Sequence, residues 1–199
     1  HWRMILTAGI GFFTDAYDLF IIGVVTAILA PIWGLSHHQI AVLNCAALAS
    51  AALGAVSFGI LSDKLGRKRM YGTEVAILFV GAILSAVSSN FTHLLLARIL
   101  VGFGIGGDYP SSAVVVSESA NKNNRGFLVL LVFAMQAVGL IIGPLLASAF
   151  LASHVSANLT WRILLGLGAL PAASVFYLRR TIKESVYYKL NKKKPNDYR

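Results

Sequence analysis

Three observations predict an all-α membrane protein of six transmembrane helices: a composition too apolar for a soluble domain, apolar runs of membrane-spanning length, and basic residues confined to alternate loops. Apolar residues make up 57% of the 199-residue chain and charged residues 13%, with a mean hydropathy of +0.72, outside the usual range of soluble domains. The six runs are approximately residues 4–32, 39–61, 70–89, 94–116, 127–153 and 161–178, each near the roughly 20 residues that a spanning helix needs. The first is too long for a signal-peptide core and holds Asp15 and Asp18, so it is read as a retained span.

Lys and Arg fix the orientation. Arg3, the cluster Lys64, Arg67, Lys68 and Arg69, the pair Lys122 and Arg125, and the eight basic residues of 179–199 all fall on one side of an even-numbered bundle. The three loops on the other side hold none. Because cytoplasmic loops carry the excess of Lys and Arg, both termini are expected in the cytoplasm. Residues 1–180 then form the six-helix bundle, and residues 181–199 a basic cytoplasmic tail or the start of a linker. The net charge of +9 follows from this topology and implies no nucleic-acid partner. The lipid bilayer is the expected partner, and the tail has a further use against anionic lipid.

The first run contains Gly9-x-Gly11-x-x-x-Asp15, and the fourth repeats the pattern as Gly102-x-Gly104-x-x-x-Asp108. The first helix of each group of three thus carries glycines and an aspartate in one register, the trace that a three-plus-three inverted repeat leaves around a shared midplane site. Asp15 and Asp18 lie three apart on one helix face; either both face the interior, or Asp18 caps or packs locally. The second run, rich in Ala, Gly and Ser from Ala46 to Gly59, suits close helix contact, and its Cys45 reads as a small packing residue. The third carries Glu74 about one turn inside the membrane, where it either snorkels or pairs inward.

The fourth run is the chemical centre of the chain. RILVGFGIGGDYPSSAVVVSE, from Arg98 to Glu118, places an arginine, an aspartate and a tyrosine at membrane depth, where an ionisable group costs several kcal/mol unless it faces a protein-lined interior. Arg98, Asp108 and Tyr109 therefore line something. Pro110 removes an amide donor and is expected to bend the helix after Asp108. Glu74, Asp15 and Asp108 are the expected partners of Arg98, with no ground for choosing among them. GFGIGG, from Gly102 to Gly107, also satisfies the dinucleotide fingerprint, but that motif needs a preceding strand and an acidic residue about 20 positions on. Here the glycines sit inside an apolar helix, and the count lands near Phe127.

In the fifth run Gln136 is an intramembrane amide that needs a partner, and Gly143-Pro144 is expected to bend the helix. The sixth begins at Trp161-Arg162, read as interfacial anchors, and shows no chemistry. His37, His38 and His154 fall in the outer loops as solvated residues, not metal ligands. No Ser/His, Cys/His or metal-ligand grouping lies at one depth, so neither an enzyme nor a cofactor is expected.

Between the second and third runs, Asp63-Lys-Leu-Gly66-Arg67-Lys-Arg69 resembles the conserved cytoplasmic loop of the major facilitator superfamily. The resemblance sharpens at Gly106-Gly-Asp108-Tyr109-Pro110, Ser117-Glu118 and Asn124-Arg125-Gly126, with FFTDAYDLF from Phe12 to Phe20. These are similar to the signature of the proton-coupled phosphate transporters of fungi and plants, over residues 2–185. The resemblance implies the amino-terminal half of a major facilitator fold, in which Tyr109, Gln136 and Asp108 bind inorganic phosphate. Asp15 and Asp108 carry the coupling proton, with Arg98 and Glu74 in the charge network. Asp63, Gly66, Arg67 and Glu118 close the cytoplasmic side. Lys183-Glu184-Ser185 departs from the family's Pro-Glu-Ser/Thr, which alters the latch but not the binding site. A second six-helix half, or a second copy, is the further partner, and the cell membrane the location. The alternatives are a sugar or organic-anion symporter of the same superfamily, or a membrane anion sensor or assembly partner that does not transport.

Overall fold

A computed structural model of the chain describes residues 2–65, 67–119 and 125–180. The order is α1 (Trp2–Trp33), α2 (His37–Leu65), α3 (Arg67–Ala86), α4 (Phe91–Ser119), α5 (Arg125–Ala152), α6 (Ala157–Leu167) and α7 (Ala169–Arg180), with no strand among the described residues. Five helical stretches are long and apolar enough to cross a membrane: Leu6–Trp33, His37–Lys64, Phe91–Pro110, Gly126–Ala152 and Ala157–Leu178. Within α3 the apolar stretch is the shorter Gly72–Ala86.

The α1–α2 and α3–α4 turns use local chemistry. At the start of α2, the Ser36 amide donates to Gln39 Oε1 at 2.9 Å and the Gln39 amide to Ser36 Oγ at 3.2 Å, a reciprocal capping box. Asn90 Oδ1 accepts the His93 amide at 2.9 Å and so caps α4. Helix α1 stops at Gly34, whose φ of 62° lets the Leu35 amide turn back to the Ala30 carbonyl. The expected bends at Pro110 and Pro144 do not end their helices, since α4 and α5 both run on through them. The sixth run, read as a single helix, is instead interrupted at Gly168.

Helix α2 packs on α4 as α5 packs on α1, and α3 packs on α4 as the sixth span packs on α1. Exchanging the first three spans with the last three therefore maps one set of contacts onto the other, the arrangement that the Gly-x-Gly-x-x-x-Asp repeat predicts. Glycines set the close approach. A Cβ at Gly102 would overlap the Ala47 carbonyl, and one at Gly106 the Ala51 carbonyl, so α4 lies directly on the backbone of α2.

Toward the α1–α2, α3–α4 and α5–α6 turns the core gathers Tyr17, Ile21, Leu29, Leu43, Leu94, Leu164 and Trp161. Trp161 is fully buried rather than interfacial: its ring meets Trp33 edge-on at 5.5 Å, and its Nε1 donates to Asn158 Oδ1 at 3.0 Å. Arg162 lies 4.3 Å over that ring and donates to the Ala86 carbonyl at the end of α3, which fixes the sixth span to α3. Cys45, expected in packing, is exposed on α2, as are His37, His38 and His154.

Candidate functional site

Each half of the repeat contributes a glycine and an aspartate to the same place. Gly11 and Asp15 of α1 and Gly104 and Asp108 of α4 line one small cavity, with Glu74 of α3 in its wall and Ala172 and Val175 of α7 closing it. All three carboxylates are buried. The glycines explain how: a Cβ at Gly104 would press on the Glu74 carbonyl and the Leu78 amide, so only a bare Cα lets α3 come close enough for Glu74 to enter. Ser112, one turn after Asp108, donates to Asp108 Oδ1 at 2.6 Å, an orientation that suits an accepting carboxylate.

Tyr109 and Gln136 stand beside this cavity and are only partly buried. Gln136 Nε2 of α5 donates to the Tyr109 hydroxyl oxygen. Since a phenol both accepts and donates, accepting from Gln136 leaves the Tyr109 O–H free to turn toward another oxygen. Phe12 holds the Tyr109 ring edge-on at 5.1 Å and Phe133 edge-on at 4.8 Å. Tyr109 also packs against the cluster that includes Val75, Leu78 and Val175, three residues that line the cavity. Two polar donors on the accessible side and three carboxyl groups behind them thus share one locus on α1, α3, α4 and α5.

Arg98 lies two turns into α4 and is fully buried. The sequence seeks its partner among Glu74, Asp15 and Asp108; the contact that the structure shows is with Asp18, whose main-chain carbonyl accepts from Arg98 Nη2. Asp18, which the sequence leaves between two roles, faces the interior and is buried beside Arg98. The three-residue spacing from Asp15 is the signal for it. Nothing in the sequence singles out its neighbour Tyr17, whose hydroxyl donates to the Leu164 carbonyl of α6 at 2.7 Å. Gly168, in the span read as having no chemistry, lies so close to the Asp18 carboxylate that a Cβ there would overlap it.

Of the residues expected at the cytoplasmic latch, Asp63 alone has a described side chain. Asp63 is exposed near the end of α2. Gly66 lies outside the described residues, and Arg67 and Glu118 belong to the backbone of α3 and α4 with side chains outside the description. The basic tail of 181–199 lies outside it as well.

Residues 4–197 match the family model described as "Sugar (and other) transporter". Among curated proteins, the chain is 38% identical over 222 residues to "Probable inorganic phosphate transporter 1-3" of Arabidopsis thaliana, covering 94% of this chain and 43% of that protein. It is 40% identical over 222 residues to "Inorganic phosphate transporter 1-6" of Oryza sativa subsp. japonica, covering 94% and 42%. The chain spans less than half the length of these relatives. Among solved structures it superposes on the xylose transporter XylE from E. coli in an inward-open conformation with a TM-score of 0.77 at 20% identity, covering 94% of this chain and 49% of that one. A double Trp mutant of XylE gives a TM-score of 0.83 at 21% identity, covering 96% and 46%. These structural likenesses show the fold alone, and this chain corresponds to about half of each of those proteins.

Proposed function

The chain belongs to the sugar (and other) transporter family, and from that premise we propose that it forms the amino-terminal half of a proton-coupled carrier for inorganic phosphate. The observation that carries the reading is the pairing of Gln136 with Tyr109, a partly accessible donor pair next to the buried Asp15 and Asp108. Phosphate oxygens accept from the Tyr109 hydroxyl and from the second hydrogen of the Gln136 amide. Relatives named as inorganic phosphate transporters, 38–40% identical over nearly the whole chain, support the choice of substrate.

Coupling follows from charge. Two like unit charges about 4 Å apart repel by roughly 4 kcal/mol at the effective dielectric of about 20 that suits protein sites. A bound proton on Asp108 or Asp15 removes that repulsion, so phosphate and proton each raise the affinity for the other by the same factor. Arg98 compensates the carboxylates that stay ionised, and Glu74, in the same cavity, extends the path the proton takes. Asp63, Gly66, Arg67 and Glu118 close the cytoplasmic side, both termini lie in the cytoplasm, and the carrier resides in the cell membrane. A second six-helix half, or a second copy of this chain, supplies the opposite wall of the substrate site.

The test is counterflow of radiolabelled phosphate into proteoliposomes that hold the chain assembled with a six-helix second half. Exchange that arsenate inhibits and xylose does not supports the reading. Phosphate binding without exchange would make the protein a sensor, and exchange blocked by xylose or by an organic anion would reassign the cargo.

A further inference from the structure

The interruption of the sixth span at Gly168, between Gly166 and Pro171, lies against Asp18. In a regular helix the Leu164 carbonyl would accept from the amide of residue 168. Here the Gly168 amide turns instead to the Gly166 carbonyl, and the Tyr17 hydroxyl takes the vacated place on Leu164 at 2.7 Å. The next residue of α1 fills the gap from the same side. A Cβ on Gly168 would overlap Asp18 Oδ1 and lie 2.9 Å from its Cγ, so the carboxylate rests directly on the glycine Cα. Asp18 is 1% exposed, and among the described residues neither of its carboxylate oxygens makes a hydrogen bond. Just beyond the interruption, α7 carries Ala172 and Val175, which wall the cavity of Asp15, Glu74 and Asp108.

We propose that Gly168 is a positioning residue for Asp18, and that the α6/α7 junction links the Asp18–Arg98 pair to the acidic cavity. The carboxylate occupies space that only glycine leaves open. A change in its charge alters its contact with the junction, and α7, which begins at Ala169, bears that change to the cavity wall two turns on. Among the described side chains, few titratable groups lie near Asp18. Arg98 approaches from α4, Tyr17 and Asp15 lie on its own helix, and Glu74 and Asp108 lie in the adjoining cavity. The Gly126–Ala152 stretch of α5 holds no titratable side chain. In the sixth span Arg162 is engaged with Ala86 and Tyr177 is exposed, while the ionisable residues of α2, His37, His38, Cys45, Asp63 and Lys64, are all exposed.

This rests on reading the buried carboxyl groups as proton carriers, but its test needs no transport and no substrate. Infrared difference spectra of the lipid-reconstituted chain, recorded across a pH titration, identify the Asp18 carboxyl band as the one that Asp18→Asn removes. Gly168→Ala is expected to move the midpoint of that band by about one pH unit or more and to lower thermal stability. In an Asp18→Ala background the same substitution is expected to leave stability unchanged, because the overlap is gone. Should Gly168→Ala not fold alone, the double variant with Asp18→Ala is expected to restore folding. An Asp18 band unmoved by Gly168→Ala, or a stability loss that persists without the Asp18 side chain, overturns the proposal. Failure of phosphate exchange with these outcomes intact would count against the cargo and not against the junction.

Discussion

Gln136 of α5 donates a hydrogen bond to the hydroxyl oxygen of Tyr109 on α4, tying together two helices that touch little elsewhere. The pair fixes the phenol from one side and directs its proton to the other. Tyr109→Phe keeps the ring against Phe12 but removes the donor. A hydrogen bond to a charged partner contributes about 1.5–3 kcal/mol, so the phosphate KM is expected to rise roughly 10- to 100-fold with the maximal rate less affected. An unchanged KM in uptake assays would show that Tyr109 does not touch the substrate.

For Asp108, expected both at the substrate and on the proton path, the proton path is the part a single substitution isolates. Asp108→Asn keeps the size of the side chain and a partner for Ser112, whose hydroxyl now donates to it at 2.6 Å, but cannot exchange a proton. Phosphate exchange down its gradient is expected to survive, and accumulation driven by an imposed pH gradient to be lost. Proteoliposomes measured with and without that gradient separate the two. Uphill uptake by the variant would remove Asp108 from the proton path.

Much of this was legible in the sequence because membrane depth makes polar residues conspicuous. Asp15, Glu74, Arg98 and Asp108 stand out in apolar runs, and all four are buried; the glycine–aspartate register of the two repeats correctly brings Gly11, Asp15, Gly104 and Asp108 to one cavity. What the sequence hid was pairing across helices. No spacing rule relates Asp18 to Arg98, 80 positions away, or Tyr17 to Leu164, 147 positions away. The interruption at Gly168 does have a local signal, Gly166 and Pro171 on either side of it, but glycine and proline are both common in membrane helices. Trp161 misled for a related reason: tryptophan near a span end is usually interfacial, and only the tertiary contact with Trp33 draws it inward.

Arg98 tests the charge network by stability. Its guanidinium donates to the Asp18 main chain and is fully buried. Removing one member of a buried charge pair costs about 3–5 kcal/mol, because the other is left uncompensated. Arg98→Leu is therefore expected to lower the melting temperature of the detergent-solubilised chain strongly, and Arg98→Leu with Asp18→Asn to recover much of the loss. Arg98→Lys keeps the charge without the planar fork and should fall between wild type and Arg98→Leu. Independent, additive losses in the double variant would mean that the two residues do not interact energetically.

The α2–α4 seam sets the last expectation, since it places Asp108 and Tyr109 where they are. A Cβ at Gly102 would enter the Ala47 carbonyl and the Ser50 hydroxyl, and one at Gly106 the Ala51 carbonyl; backbone is the obstacle, so no rotamer change relieves it. Overpacking by one or a few methyl groups costs about 1–3 kcal/mol where neighbours yield, and here they yield only if the helices separate. Gly102→Val is expected to lower the yield of folded protein in fluorescence-detected size exclusion sharply, and Gly102→Ala to a lesser degree. Gly23→Ala serves as the control, because a Cβ there meets nothing within 4 Å. Equal behaviour of Gly102→Val and Gly23→Ala would mean that α2 and α4 do not pack through bare backbone. The shared cavity would then lose the contact that brings the aspartate of α4 level with that of α1.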